Sequence, residues 1–433
     1  MKNISYSLNN VKFWCFMLFT CLNLLLATTS CNNDELEFND PQPLKQYTKA
    51  ELIEQALSRI PKTRAGGERD VIVKMVTIQD AITINCSVND TVIIDVDGRV
   101  SITLTKNQNF PPTLSFSPDY PSHYVTIMGT EESLDGLDLS NAGLISLKMY
   151  SNSKLTDLYC KGNHLDEIDL TRCPNLSYIN LSDNELSSID VTNLSYLESF
   201  TASNNRLTNI YFNNNQYMYE LFVENNQLTE LDLSGITDLS SLTVQNNPLK
   251  KLILKDCLYV FFLNISSTSL KSLDLSNNTE ILVLLMENTS IEVLNNQSVS
   301  NMSFSFAVLE KLSRLNVANT PFKSLDLSHN PRIYSLDISG STVTQVNLSN
   351  TVISYLCATH SKLTNLICEE KLKHLSEVRI ESTPWEKDPD KMVRLGELLP
   401  DRDGMAPGHL YTYSLYIDSL RPFTNSKNWL INR

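Results

Sequence analysis

What this 433-residue chain lacks narrows its function before anything it contains does. It has no HExxH, no GxSxG, no G-x-x-x-x-G-K-[ST] loop and no G-x-G-x-x-G fingerprint. Zinc hydrolysis, serine-elbow acyl transfer, nucleotide hydrolysis and dinucleotide redox therefore have no local signature. Basic charge is scarce, with 35 Lys and Arg against 49 Asp and Glu, a formal net charge of −14. Phosphate binding needs a basic face, so nucleic acid is excluded as a partner. Only 12 glycines and 16 prolines argue against a disordered tail dominating the chain. The six histidines (His123, His164, His329, His360, His374, His409) are scattered. Cys357 and His360 could form a pair, but no orienting acid accompanies them, and the simpler reading is an outward strand cysteine beside a turn histidine. No cofactor is implied, and no enzyme is expected.

Long apolar runs are also missing, except at the start. Lys2 and Lys12 precede Phe13–Ala27, an apolar stretch interrupted by Asn23, which ends in Thr28-Thr29-Ser30 and Cys31. A bilayer span needs roughly 20 apolar residues, so residues 1–30 read as a secretory signal. Cysteine directly after a cleavage site resembles the lipobox of bacterial lipoproteins, although Thr28 stands where Leu is common. That resemblance implies a lipid on Cys31 and an outer-membrane, surface-exposed location of the Gram-negative type. Asp34, Glu35 and Glu37 resemble the surface-export tags of some such proteins. Plain cleavage leaving a free Cys31 is the alternative.

What the chain has in abundance is self-similarity. Asn163, Asn184, Asn205, Asn226 and Asn247 stand 21 residues apart, and Thr268 and Thr289 keep the phase. Leu155-Thr-Asp-Leu158-Tyr-Cys160-Lys-Gly-Asn163-His-Leu165 is one copy of LxxLxLxxNxL, the leucine-rich-repeat signature. A second apolar triplet recurs in phase, as in Ile168-Asp-Leu170 and Leu231-Asp-Leu233. Each coil thus carries two strand-like segments, and only stacking can cover their inward side chains. Twelve coils are expected, from near Leu134 to near Leu375. The phase slips once by ten residues between Thr289 and Thr320, which assigns Asn295–Ala307 to a loop or bulge. The ladder column is Asn in the first half and Thr or Ser (Thr320, Ser341, Ser361, Thr383) in the second. A hydroxyl replaces an amide only in part.

Short 21-residue coils resemble the internalin-like repeats of bacterial surface proteins, over roughly Tyr124–Arg433. One internalin-type subclass carries Cys at the sixth repeat position; here only Cys160 does, with Leu181, Ala202, Val223, Val244 and Ile265 elsewhere. No cysteine ladder follows. The expected fold is mostly β: a leucine-rich-repeat solenoid with an N-terminal helix plus small β domain and a C-terminal cap. The boundaries are 1–30 signal, 31–47 tether, 48–133 N-terminal helix and β cap, 134–386 solenoid and 387–433 C-terminal cap. Thr48 and Glu51 form a capping box before a helix over Lys49–Ile60. Asp97-Gly98 signals a hairpin. A helix over Pro389–Leu399 and strand-like runs within Leu410–Ile417 should close the far end, with Trp429 and Leu430 buried.

Cys173 and Cys257 share a repeat position but lie 84 residues, or four coils, apart. At about 4.8 Å per coil that is on the order of 19 Å, beyond disulfide reach, so mostly free thiols are expected. The column Asp169, Asp190, Asp232, Asp274 and Asp326 suggests turn capping; calcium, which needs six to eight convergent oxygens, is the weaker alternative and no metal is assigned. Outward strand positions hold Tyr159, Tyr178, Phe222, Phe262, Val283, Leu285 and Tyr355. Aromatics on a rigid sheet mark a recognition surface. The insertion or the cap folding over them is the competing possibility. Four functions remain: a monomeric surface binding module or adhesin with a protein ligand, a glycan-capturing lipoprotein of a nutrient-uptake system, an enzyme whose site hides in the β domain, and a structural spacer.

Overall fold

In the computed structural model the described residues are 47–59, 70–97, 100–106, 113–116, 120–213, 215–295, 297–298, 303–368 and 372–432. Cys31 and the rest of residues 1–46 lie outside them. Among the described residues no helix is long and apolar enough to cross a membrane.

Alternation along LxL sets the architecture. Within Asp157–Tyr159 the middle residue, Leu158, points inward and its neighbours point out. The same triplet recurs one coil later and pairs in parallel: Asp157 with Tyr178, Leu158 with Ile179, Tyr159 with Asn180. Every later coil repeats this register. A front sheet of 15 strands results, one of them antiparallel and 14 parallel. The twelve expected coils supply the first parallel strands, and Gly408–Tyr411 and Trp429–Asn432 of the cap add two more. The inward residues, including Leu158, Phe200, Leu221, Leu242 and Leu263, join one continuous apolar core. Each fully buried leucine contributes about 2 kcal/mol.

The asparagine column bonds one coil to the next. Asn205 Oδ1 accepts from the Leu186 amide of the preceding coil at 3.0 Å. Its Nδ2 donates backwards to Leu181 O at 2.9 Å and within its own coil to Ala202 O at 3.2 Å. Asn163, Asn184, Asn226 and Asn247 make equivalent bonds. At Thr268, Thr289, Thr320, Ser341 and Thr383 the hydroxyl donates to a carbonyl of its own coil, as in Thr268 to Ile265 O at 2.8 Å and Thr289 to Met286 O at 2.7 Å.

Directly before each ladder residue the backbone is left-handed: Asp183, Asn204, Asn225, Asn246, Ser267 and Asn288 all have φ near 55–57°. Asn and Asp tolerate this region better than other side chains. These residues form a second, exposed ladder, with Asn204, Asn225 and Asn246 each donating 2.7 Å bonds to the coil before. Glycine takes the column at 162 and 340, where a Cβ would collide with Asn141 Oδ1 and Asn319 Oδ1.

The second apolar triplets make shorter back sheets. Ser188–Asp190 pairs with Asn209–Tyr211, and Glu230–Asp232 with Lys251–Ile253. The described residues of the insertion, expected as a loop or bulge, include strand segments. Val293–Leu294 and Gln297–Ser298 form an antiparallel hairpin, and Ser303–Ser305 then opens a four-stranded back sheet. One coil therefore contributes two back segments, because the extra residues are long enough to cross the back twice. A further buried asparagine column, Asn215, Asn278 and Asn330, ties back corners to carbonyls of the preceding coil. Cys257 shares that column, its Sγ directed at Leu233 O.

Both ends are closed. Helix α1 (Lys49–Ser58) carries the expected capping box and packs Leu52 and Ala56 on Val76, Tyr124 and Ile145. It ends short of Ile60, which lies outside the described residues. A five-stranded antiparallel sheet pairs Asp70–Thr77 with Leu144–Met149 of the first coil, and Asn85–Val88 covers the first front edge. Val92–Val96 and Val100–Leu104 form the hairpin expected at Asp97. At the other end, α2 (Pro389–Leu398) starts on Asp388, which accepts from the amides of Asp390 and Lys391. Ile417, expected at the end of a strand, instead begins a third helix, α3 (Ile417–Ser426). Trp429 is buried and donates to Pro400 O at 3.0 Å, but Leu430 is 48% exposed. Adjacent strand residues face opposite ways, so only one of the two can enter the core.

Asn205→Leu should destabilise the fold by about 3 kcal/mol, because it strands one amide and two carbonyls. Asn205→Thr, which keeps the bond within the coil, should cost about half as much. Urea unfolding of both variants checks the order.

Candidate functional site on the outward face of the front sheet

The outward residues of the front strands form regular columns. The first strand position runs Asp157, Tyr178, Ser199, Glu220, Ser241, Phe262, Val283, and the third runs Tyr159, Asn180, Thr201, Phe222, Thr243, Asn264, Leu285. All seven recognition residues named from sequence lie in these two columns. Phe262 pairs with Val283, and Leu285 follows in the same strand, so these three make one half-buried apolar patch. Phe222 is separated from Leu285 in its column by Thr243 and Asn264. Tyr355 lies apart, beyond Arg314 and Ser335. The described residues of the insertion belong to the back sheets, and the front sheet passes from Val283–Leu285 straight to Arg314–Asn316.

The tyrosines nearer the N-terminal end meet carboxylates. Tyr178 donates to Glu198 Oε2 at 2.5 Å, and Tyr159 to Asp157 Oδ1 at 3.2 Å. Burial, then the neighbouring carboxylate, raises both phenol pKa values.

A band of aromatics beside the sheet escapes a search confined to strand positions. Tyr196, Tyr217 and Tyr259 stand in the turn before the front strand, 57%, 48% and 61% exposed. Tyr219 and Phe261 continue the band towards the face. The signal was the period itself: Tyr196 and Tyr217 are 21 residues apart, and Tyr259 is 42 further on. Turns before strands hold the residues with most freedom to vary, which is where binding groups gather.

Across the fifth coil runs a row with a different character. Glu220 and Phe222 stand on the outward side of their strand, and half-buried Glu224 follows two residues on. Glu220 is only 7% exposed, and Ser199 Oγ donates to its Oε2 at 3.0 Å. Glu224 Oε2 is shielded from solvent and has no hydrogen-bond partner. Burial raises the pKa of both carboxyls, against smaller opposing contributions from Ser199 at Glu220 and, at Glu224, from its own backbone amide and then Ser203. Further along, burial and then Asp337 raise that of Glu287.

The back aspartates behave otherwise. Asp169 Oδ1 accepts from the Thr171 hydroxyl at 2.6 Å and its amide at 2.9 Å. Asp190, Asp232, Asp274 and Asp326 repeat the pattern with Thr192, Ser234, Ser276 and Ser328. Hydroxyl donation holds the Asp169 and Asp232 pKa values below the usual carboxylate range. These carboxylates serve their own turns. A back groove of about 490 Å³ collects Asp166, Glu167, Asp190 and Tyr211, with Lys49 held 2.8 Å from Asp166.

Cys357 corrects one expectation. It occupies an outward column yet is buried, with Ser339 Oγ 3.0 Å from its sulfur. The outward side is covered there because Ser339 and Thr359 of flanking positions lean over it. His360 sits in the left-handed turn column, exposed, with φ 59°. The six described cysteines are free thiols; burial pushes Cys173 and Cys257 up to about 12, Cys86 up to about 11, and Cys160 still higher.

Because the Glu220 carboxyl pKa is raised on folding, its ionisation opposes the fold. The stabilising protonated form is complete below the ordinary carboxylate value of 4.5 and is lost as pH rises through the folded pKa. Glu220→Gln should therefore raise the melting midpoint at pH 7 by roughly 2 °C, a gain that shrinks towards pH 4. Thermal melts of both proteins across that range give the check.

No protein-family model matches the sequence, and no curated protein matches it. Solved structures do match in shape. The internalin InlF of Listeria monocytogenes aligns over 69% of this chain and 86% of its own, at 15% identity and a TM-score of 0.50. A leucine-rich-repeat protein of Leptospira interrogans aligns over 65% and 79%, at 16% identity and a TM-score of 0.47. The effector YopM of Yersinia pestis aligns over 57% and 78%, at 20% identity and a TM-score of 0.45. The structural neighbours of this chain thus include bacterial leucine-rich-repeat proteins, and the likeness is one of fold.

Proposed function

We propose that this chain is a protein-binding scaffold that presents the outward face of its front sheet to a partner at the cell surface. The observation that carries the reading is the half-buried patch of Phe262, Val283 and Leu285 beside an exposed band of Tyr196, Tyr217 and Tyr259. Aromatic groups on a rigid support bury large area at little entropic cost, the usual composition of an interaction hot spot. The parallel ladder beneath them supplies that rigidity. A glycan ligand is the second reading, because exposed tyrosine rings can stack on sugars; a glycan array without signal would remove it.

We infer from the sequence that Cys31 carries a lipid and holds the protein on an outer membrane, with the scaffold facing outward. The run ending in Ser30-Cys31 supports this. One lipid chain gives only marginal membrane affinity, so stable attachment calls for more than one acyl group.

Two outcomes follow. Phe222→Ala with Phe262→Ala should leave the melting curve intact and weaken partner binding by about 100-fold, read by capture of surface proteins on the immobilised full-length chain. Lost stability with unchanged affinity per folded molecule would refute the assignment. Cys31→Ser should move the protein from the detergent phase to the aqueous phase in Triton X-114 partitioning; unchanged partitioning would refute the anchor.

A further inference from the structure

The row across the fifth coil deepens the protein-binding reading and rests on it. Glu220 and Phe222 stand on the outward side of the strand Glu220–Phe222, and half-buried Glu224 follows two residues on, just past the strand's end. Successive members lie roughly 7 Å apart along the chain. Their flanks are low. Ser199 and Thr201 occupy the matching columns of the fourth coil, and Ser241 and Thr243 those of the sixth. The phenyl ring therefore rises between two carboxylates with only small hydroxyl residues beside it.

We propose that this row is a socket for an arginine or lysine side chain of a basic protein partner.

Three observations converge. First, an unpaired buried carboxylate oxygen is costly, and Glu224 Oε2 is shielded with no donor. Glu220, 7% exposed, has a single hydroxyl donor from Ser199. A cationic N–H group would supply the donor that Glu224 Oε2 lacks and the opposite charge that Glu220 lacks. Second, an aromatic face between carboxylates suits a cation specifically, because the ring quadrupole and both negative charges attract the same ligand. Third, the charge of the surroundings agrees. Over the first eight coils, the outward strand columns hold Asp138, Asp157, Glu220, Glu224 and Glu287 but only Lys161, which already lies 3.5 Å from Asp183. An acidic partner segment would be repelled, and a neutral one would leave the carboxylates desolvated and unpaired.

The back aspartates are the internal control. They recur with the repeat, and each accepts from the hydroxyl two residues on in its own turn. Glu220 has one hydroxyl donor and Glu224 keeps one shielded oxygen without a partner, and burial works against their charge. Groups that weaken the free fold while facing outward are those retained for a ligand.

The test uses the full-length protein and fluorescein-labelled nona-arginine, nona-lysine and nona-glutamate peptides, followed by anisotropy. The cationic peptides should bind and the anionic one should not. Glu220→Gln with Glu224→Gln should weaken cationic binding by about tenfold or more. Glu54→Gln with Glu310→Gln removes the same charge from exposed sites outside the front columns and should change it by less than about twofold. Phe222→Leu, which keeps an apolar side chain but no ring, should weaken nona-arginine binding as well. Equal losses for the two double variants would reduce the effect to bulk charge and overturn the proposal, as would no loss or no peptide binding at all. Circular dichroism and the single Glu220→Gln and Glu224→Gln variants guard against misfolding. If the glutamine variants bind normally while Phe222→Ala with Phe262→Ala still abolishes partner capture, the socket falls and the scaffold reading stands. If neither pair has an effect, both fall.

Discussion

A single coil of this chain leaves Leu158 and Cys160 facing water until the next coil lies over them, and that unmet burial drives the rest of the architecture. Stacking covers the apolar side chains, and in doing so brings the backbone of one coil within hydrogen-bonding distance of the next. It also forces a sharp turn at each end of each strand, where amides and carbonyls would be buried unpaired. The ladder asparagines exist for that turn. One side chain with an acceptor and two donors settles an amide and two carbonyls at once. The turn in turn demands a left-handed residue just before it, and the exposed ladder of Asn204, Asn225 and Asn246 grows from that demand.

The change from asparagine to threonine at coil seven shows how much of this is tolerance. Thr268 and Thr289 keep the carbonyl bond inside the coil and give up the bonds between coils. The front sheet nevertheless continues in register through Phe262, Val283, Arg314 and Ser335. Stacking of leucines is therefore the stronger constraint, and the amide ladder reinforces it. The phase slip after Thr289 makes the same point from the other side. Ten extra residues are absorbed by a hairpin and a further strand on the back, where sheets are short and broken, and the front is untouched.

What could be read from sequence divides along that line. The period, the inward leucines, the ladder and the front columns were legible because burial repeats them twelve times over, and repetition averages out local exceptions. The ends were less legible, since each cap is built once. A segment read as strand at Ile417 forms α3 despite Pro422 inside it, and Leu430 faces out beside a buried Trp429. Cys357 was placed outward correctly by alternation but is covered by Ser339, a contact between coils that no single coil encodes. The tyrosine band at Tyr196, Tyr217 and Tyr259 was visible in the period yet fell outside the strand positions that alternation singles out.

Function is legible on a different principle. In a repeat, any residue the scaffold needs recurs, as the back aspartates do at 169, 190, 232, 274 and 326 with their hydroxyl donors two residues on. A residue whose neighbours in its own column, on the coil before and the coil after, are only serine, threonine or glutamine is not set by the scaffold. Glu220, Phe222 and Glu224 are such residues, and the two carboxylates weaken the free fold by being buried while charged. The same reasoning separates Tyr178, whose hydroxyl donates to Glu198, from Phe262, which pairs with Val283 across the sheet and is half-buried. A periodic scaffold thus leaves the positions it does not need free to vary, and the proposed binding groups stand at such positions.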